Sequence, residues 1–189
     1  MSSISYEKNA EPKNDFKALL VVYSFHHNNT LKIAQSMADV LDAQIVTPNQ
    51  IEPDDIQGYD LVGFGSGIYD EKHHTSLLML ADKLPKASNQ MAFIFSTSGM
   101  GGKAKMKRDH LPLREKLESK GYRIVDEFNC VGFDTNTGYD SGIILSIVSR
   151  FVDLIGGINK GRPNSQDLKD AEEFAENLLQ YKTSGDEQH

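Results

Sequence analysis

Cysteine is nearly absent from this chain: Cys130 is the single one in 189 residues. One thiol excludes an internal disulfide and a multi-cysteine metal site, which makes a reducing cytoplasm the expected compartment. No apolar run reaches the roughly 20 residues that span a bilayer, and the N-terminus lacks a signal-peptide pattern. Positive charge is short as well. There are 20 Lys and Arg against 27 Asp and Glu, a formal net charge of -7 and a pI near 5.3, which argues against nucleic acid as a partner. What is present is ordinary, 39% hydrophobic and 25% charged in a length that suits one domain with a sizeable core.

The chain is organised around residues 16–41. Leu19, Leu20, Val21 and Val22 form an unbroken apolar run, too short for a buried helix and suited to a strand covered on both faces, hence to a parallel sheet. Beyond Ser24, Phe25, His26, His27, Asn28, Asn29 and Thr30, the residues Leu31, Ala34, Ala38 and Leu41 recur at helical spacing. The intervening loop is rich in hydroxyls and amides and contains no Lys or Arg. Two readings fit it. Asn29 or Thr30 caps the helix, or the loop and the positive end of the helix dipole receive a phosphate dianion, with Ser24, Asn28, Asn29 and Thr30 as donors.

Residues 1–15 are polar and aperiodic and read as a loose arm. Ala43 to Thr47 reads as a short second strand, and 48–58 as a turn-rich connection. Residues 60–69 form a third strand that runs into alternating glycines and ends in Ser66, Gly67, Ile68 and Tyr69. The glycines suit a close backbone approach to a ligand, but they do not fit a dinucleotide fingerprint, which follows the first strand and opens a helix at once. A helix from Thr75 stops at Pro85. Met91 to Phe95 forms a fourth strand leading into Ser96, Thr97, Ser98 and Gly99, and Lys103 does not complete a P-loop because Thr97 and Ala104 occupy its glycine and hydroxyl positions.

That loop is read as continuing through Lys103, Lys105, Lys107 and Arg108, either solvated surface or a basic wall near a ligand, until a helix begins at Pro112 and closes at Gly121. Arg123 to Phe133 reads as the fifth strand, with Cys130 a small buried residue. Residues 139–154 form an apolar helix carrying Ile143, Ile147 and Phe151. It is either buried within the monomer or a contact surface for a second subunit (a homodimer), a partner protein or a bulky substrate. A final helix follows residues 156–164, and 183–189 are a polar tail. His26, His27, His73 and His74 could form a metal site only with further ligands, which no spacing supplies, so no metal is expected.

Several of these stretches carry a resemblance. Tyr23 to Thr30 is similar to the phosphate loop of the flavodoxin family, which ends in Gly-Asn-Thr or Gly-Asn-Ser. Here the ending is Asn28-Asn29-Thr30, and His26 and His27 replace small hydroxyls. Asn tolerates the left-handed backbone for which the family uses Gly. Ser66 to Tyr69 and Ser96 to Gly99 resemble the two loops that hold the flavin ring. Lys160, Gly161, Arg162, Pro163 and Asn164 resemble the turn before the family's last helix.

The resemblance covers residues 16–182 as one domain. It implies an α/β fold with a three-layer doubly wound five-stranded parallel sheet, order 2-1-3-4-5, the apolar helix of 139–154 being an insertion after strand 5. It also implies noncovalent FMN, held by Ser24, Phe25, His26, His27, Asn28, Asn29, Thr30, Ser66, Gly67, Ile68, Tyr69, Ser96, Thr97, Ser98 and Gly99. The function it implies is electron transfer, as a carrier serving a redox partner protein or as a reductase of a quinone-like small-molecule acceptor. An NAD(P)H-dependent FMN oxidoreductase is the alternative. A phosphoryl receiver of the same architecture would need acidic residues where Ser24 and Ser66 stand.

Overall fold

The computed structural model describes residues 16–25, 27–132 and 159–183. His26, Phe133 and the 139–154 segment expected to form an apolar helix lie outside the described residues, as do 1–15 and 184–189. Among the described residues the strands are β1 (Ala18–Tyr23), β2 (Gln44–Val46), β3 (Leu61–Tyr69), β4 (Lys72–His73), β5 (Met91–Ser98) and β6 (Arg123–Val131). The helices are α1 (Asn29–Leu41), α2 (Thr75–Lys83), α3 (Lys103–Ser119) and α4 (Ser165–Thr183), with a short 3-10 turn at Pro53–Gly58.

The strands pair in the order β2-β1-β3-β5-β6, all parallel, while β4 folds back antiparallel on the end of β3. Without β4 this is the expected 2-1-3-4-5 order. Strand residues alternate between two cores, as the two-residue side-chain period requires. Leu20, Val22, Phe93 and Phe95 pack with Ile33, Ala34 and Met37 of α1 and with Ala171, Ala175 and Leu178 of α4. Leu19, Val21, Phe64 and Ile94 pack with Leu77, Leu80 and Ala81 of α2 and with Leu113 and Leu117 of α3. The sheet is therefore covered on both faces, which is why its strands read as continuous apolar runs.

Three differences from the sequence reading have physical causes. The glycines of β3 are not all for a ligand: a Cβ at Gly63 or Gly65 would be driven into the rings of Phe93 and Phe95, so these two serve the core. The hairpin β3–β4 turns through Asp70 and Glu71, both at positive φ, a two-residue turn of unusual composition that carries no Asn-Gly signal. Helix α3 begins at Lys103 rather than Pro112, so the basic residues are helical, not loop. Pro112 sits inside and removes one hydrogen bond, while buried Leu113 and Leu117 anchor the helix on the sheet.

The helix ends as expected. Tyr122 N donates to Leu117 O at 3.1 Å and Gly121 N to Glu118 O at 2.9 Å, with Gly121 at φ +90°. These two bonds form a Schellman cap.

Candidate functional site

The loop after β1 reverses the chain through two successive left-handed residues, His27 at φ 52° and Asn28 at φ 54°. Asn28 thus takes the backbone that a glycine would otherwise supply. It is the N-cap of α1, and its own side chain makes no capping bond; Asn29 and Thr30 do not occupy the cap position they were expected to fill. Both lie buried in the first turn instead. Leu31 N donates to Ser24 Oγ at 3.3 Å, tying the loop to the helix start. The positive end of the α1 dipole opens at the carboxyl edge of the sheet.

An open cleft enclosing about 410 Å³, its mouth included, lies there. Ser24, Phe25, Asn29 and Thr30 line it from the first loop, Gly67, Ile68 and Tyr69 from the second, and Thr97, Ser98 and Gly99 from the third. Such convergence beyond the carboxyl ends of parallel strands is where doubly wound sheets bind ligands. Thr30 Oγ1 and Thr97 Oγ1 are 2.8 Å apart and buried, a strut between the first and third loops. Gly67 lies under the Tyr69 side chain, where a Cβ would come within 3.2 Å of the ring. Phe25 stands at the mouth, 71% exposed.

Of the sequence-derived candidates, His27 and Asn28 are exposed and do not line the cleft, and His26 lies outside the described residues. Ser66 and Ser96 are fully buried on the sheet face opposite to Thr97, beside α2 and α3. One residue that sequence reasoning missed is Gly132, just beyond β6, which lines the cleft and donates its N–H to Ser98 O at 3.0 Å. A second is Asn159, whose Nδ2 donates to Gly99 O at 2.8 Å. A glycine at a strand's carboxyl end was the available signal for the first; nothing local marked the second.

Beneath the cleft Ser66 and Ser96 face each other across adjacent strands, and each meets a buried histidine. Ser66 Oγ is 2.9 Å from His73 Nδ1, and Ser96 Oγ is 2.7 Å from His110 Nε2. The two imidazole rings lie 4.8 Å apart. Burial holds His73 well below the usual histidine range, and the neighbouring His110 pushes the same way. His110 Nδ1 is 3.8 Å from Glu127 Oε2, an electrostatic contact rather than a hydrogen bond. Burial raises the Glu127 carboxyl, but His110 and the ion-paired Arg114 outweigh it and hold the group low.

A second cleft of about 750 Å³, its mouth included, adjoins the first and shares Phe25 and Tyr69 with it. Its wall includes Tyr23 stacked on His74, ring centroids 3.5 Å apart and 4° from parallel, with Tyr69 edge-on to His74 at 5.3 Å. His74 also caps α2, its Nδ1 accepting from Ser76 N at 3.2 Å. The cap requires an unprotonated Nδ1, and burial lowers the His74 pKa accordingly.

None of Lys103, Lys105, Lys107 and Arg108 lines either cleft. Lys105 is ion-paired with Asp109, and Arg108 with Glu71 at 3.0 Å, so the basic wall against a ligand is not formed. Among the described residues no group of three or more His, Cys, Asp or Glu is placed to hold a metal ion. No described helix is long and apolar enough to cross a membrane.

A family model described as Flavodoxin domain matches residues 20–137. An uncharacterized protein of Methanocaldococcus jannaschii is 46% identical over 163 residues, covering 86% of this chain and 98% of that one. Among solved structures, flavodoxin 2 from Bacillus cereus superposes with a TM-score of 0.60 at 14% identity, covering 84% of this chain and 94% of that one. A flavodoxin from the domain Archaea does so at 0.55 and 13%, covering 88% and 98%.

Proposed function

Because the chain belongs to the flavodoxin domain family, we propose that it is a noncovalent FMN protein that transfers electrons, as a carrier between proteins or as a reductase of a quinone-like acceptor. The observation that carries this reading is the convergence on one cleft of the α1 helix start and two glycine-bearing loops. The residues fit the group at both ends. A phosphate dianion suits the α1 N-terminus with Ser24 beside it, because the dipole and the backbone N–H groups there favour negative charge. A planar ring suits the walls formed by Tyr69, Ile68 and Thr97 to Gly99. A Cβ on Gly99 would meet no atom of the described residues within 4 Å, leaving room there for a ligand close to the backbone.

The flavin, when bound, supplies the one- and two-electron chemistry. The chain binds and orients it: Ser24 and the first turn of α1 fix the phosphate, the Thr30–Thr97 strut sets the spacing of the loops, and Tyr69 shields one side from water. A small-molecule reductase is favoured over a pure carrier by the second cleft, which shares the Phe25 and Tyr69 walls and has room for an acceptor or a nicotinamide.

Fluorescence titration of the apoprotein with FMN and with riboflavin tests the reading. FMN is expected to bind one per chain and at least roughly tenfold tighter than riboflavin, since the phosphate contributes charge-assisted bonds. Equal affinities would remove the phosphate site. Turnover of a quinone with NADH or NADPH and no separate reductase would place the protein among the NAD(P)H-dependent enzymes, and its absence among the carriers.

A further inference from the structure

The buried histidines take no part in flavin binding as described so far, and they are costly residents of a core. His73 Nε2 and His110 Nδ1 are both buried without a hydrogen-bond partner among the described residues. Stability alone would favour apolar side chains in their place. What they do hold are the last residues of two strands before the cleft: Ser66 directly precedes Gly67 to Tyr69, and Ser96 directly precedes Thr97 to Gly99.

The bonding around Ser66 fixes the proton position on His73. Ser66 Oγ donates to Gly67 O at 2.7 Å and accepts from His74 N at 3.0 Å, so it also accepts, at 2.9 Å, from His73 with its proton on Nδ1. One hydroxyl therefore orients the Gly67 carbonyl and the backbone of the stacked His74 cap together. Ser96 Oγ accepts from Asn129 Nδ2 at 2.9 Å and is bonded to His110 Nε2 at 2.7 Å. The other ring nitrogen of His110, Nδ1, faces Glu127 Oε2 at 3.8 Å. Each ring is thereby tied to one strand serine.

From this arrangement we infer that His73 and His110 are positioning residues for the cofactor, aiming the two ring-side loops through Ser66 and Ser96. The inference rests on the FMN reading above. It assigns the pair to the isoalloxazine end of the site and not to the phosphate end, since the bonds of the two serines run to the histidines, to Gly67 and to Asn129, away from the first turn of α1. The carboxylates around the pair are themselves ion-paired, Glu127 with Arg114, and Asp109 with Lys105 and, at 3.6 Å, with Arg108.

The test is a comparison of ligand ratios at pH 7.5. His73→Ala and His110→Ala are each expected to weaken FMN and riboflavin alike, on the order of tenfold, the usual scale for groups that orient a ligand's contacts. The FMN-to-riboflavin ratio stays at the wild-type value. His73→Asn places an amide N–H where Nδ1–H stands, and His110→Gln an amide where Nε2 stands. Both should recover affinity to within about threefold. Folded alanine variants with wild-type affinity for both flavins would overturn the assignment, and so would a loss confined to FMN. An NMR arm on the apoprotein separates this inference from the flavin reading. If no flavin binds even the wild type, the alanine variants must still displace the amide resonances of Gly67 to Tyr69 and Thr97 to Gly99, and unmoved resonances would overturn the assignment. Should an alanine variant fail to fold, the same comparison is made on Ser66→Ala and Ser96→Ala, whose unchanged affinities and resonances would overturn it equally.

Discussion

Thr30 and Thr97, 67 residues apart in sequence, share a hydroxyl–hydroxyl bond of 2.8 Å that joins the first turn of α1 to the end of β5. Both side chains are buried at the floor of the cleft, so a hydroxyl that loses its partner is poorly solvated. Replacing one by Val should cost about 1–3 kcal/mol, the penalty for a stranded buried hydroxyl, whereas replacing both should cost less than the sum. Urea denaturation of Thr30→Val, Thr97→Val and the pair measures the coupling. Strictly additive losses would mean that the bond does not form in solution.

Gly132 is expected to tolerate no side chain. A Cβ there would come within 2.9 Å of Asn29 Nδ2, closer than real Cβ atoms approach, and the Asn29 amide that lines the cleft would have to move. Gly132→Ala should therefore weaken FMN by roughly tenfold, about 1.4 kcal/mol, with a stability loss within the roughly 1–3 kcal/mol of ordinary overpacking. Isothermal titration and thermal melts on the same sample distinguish the two effects.

The pH dependence of stability follows from His73. Its folded-state pKa is depressed by burial first and by His110 second, so above the ordinary pKa of about 6.5 both folded and unfolded chains hold it neutral. Below that value the unfolded chain takes up a proton that the folded chain refuses, and stability falls by up to about 1.4 kcal/mol per pH unit. His74, also depressed by burial, adds in the same direction. Glu127 contributes its own loss only at lower pH, since a carboxyl held low matters as pH drops below the ordinary carboxylate range. Denaturant midpoints measured from about pH 8 to about pH 5 should decline below roughly pH 6.5, and His73→Asn should flatten part of that decline.

Cys130 should resist thiol reagents in the native state. It is 4% exposed, and burial together with the nearby Asp167 pushes its thiol up to about 12. Reaction with an aromatic disulfide reagent at about pH 8 should wait on unfolding, and prompt labelling of the folded protein would contradict its burial.

The layered fold was legible because the central strands are buried on both faces and α1, α2 and α4 show apolar stripes. The three loops were legible because hydroxyls and glycines collect where strands end. Ser66 and Ser96 were misplaced for a reason contained in the strands themselves. Successive side chains alternate, and Ser66 continues the face of Val62 and Phe64, as Ser96 continues that of Ala92 and Ile94, into the α2–α3 core. Treating Ser66-Gly67 and Ser96-Thr97 as units merged residues that point to opposite sides. The start of α3 was hidden by Gly101-Gly102 and Pro112, which read as loop and first turn although Lys, Ala, Met and Arg between them favour helix. His110 gave no local signal at all, because its partner lies on a strand 14 residues earlier.

Gly132 is bonded to Ser98 O, and Asn159 to Gly99 O. The described residues on either side of 133–158 are therefore fixed at two adjacent peptides of a single loop. Both points are held by carbonyls of the loop that lines the cleft, so any shift of that loop carries Gly132 and Asn159 with it together.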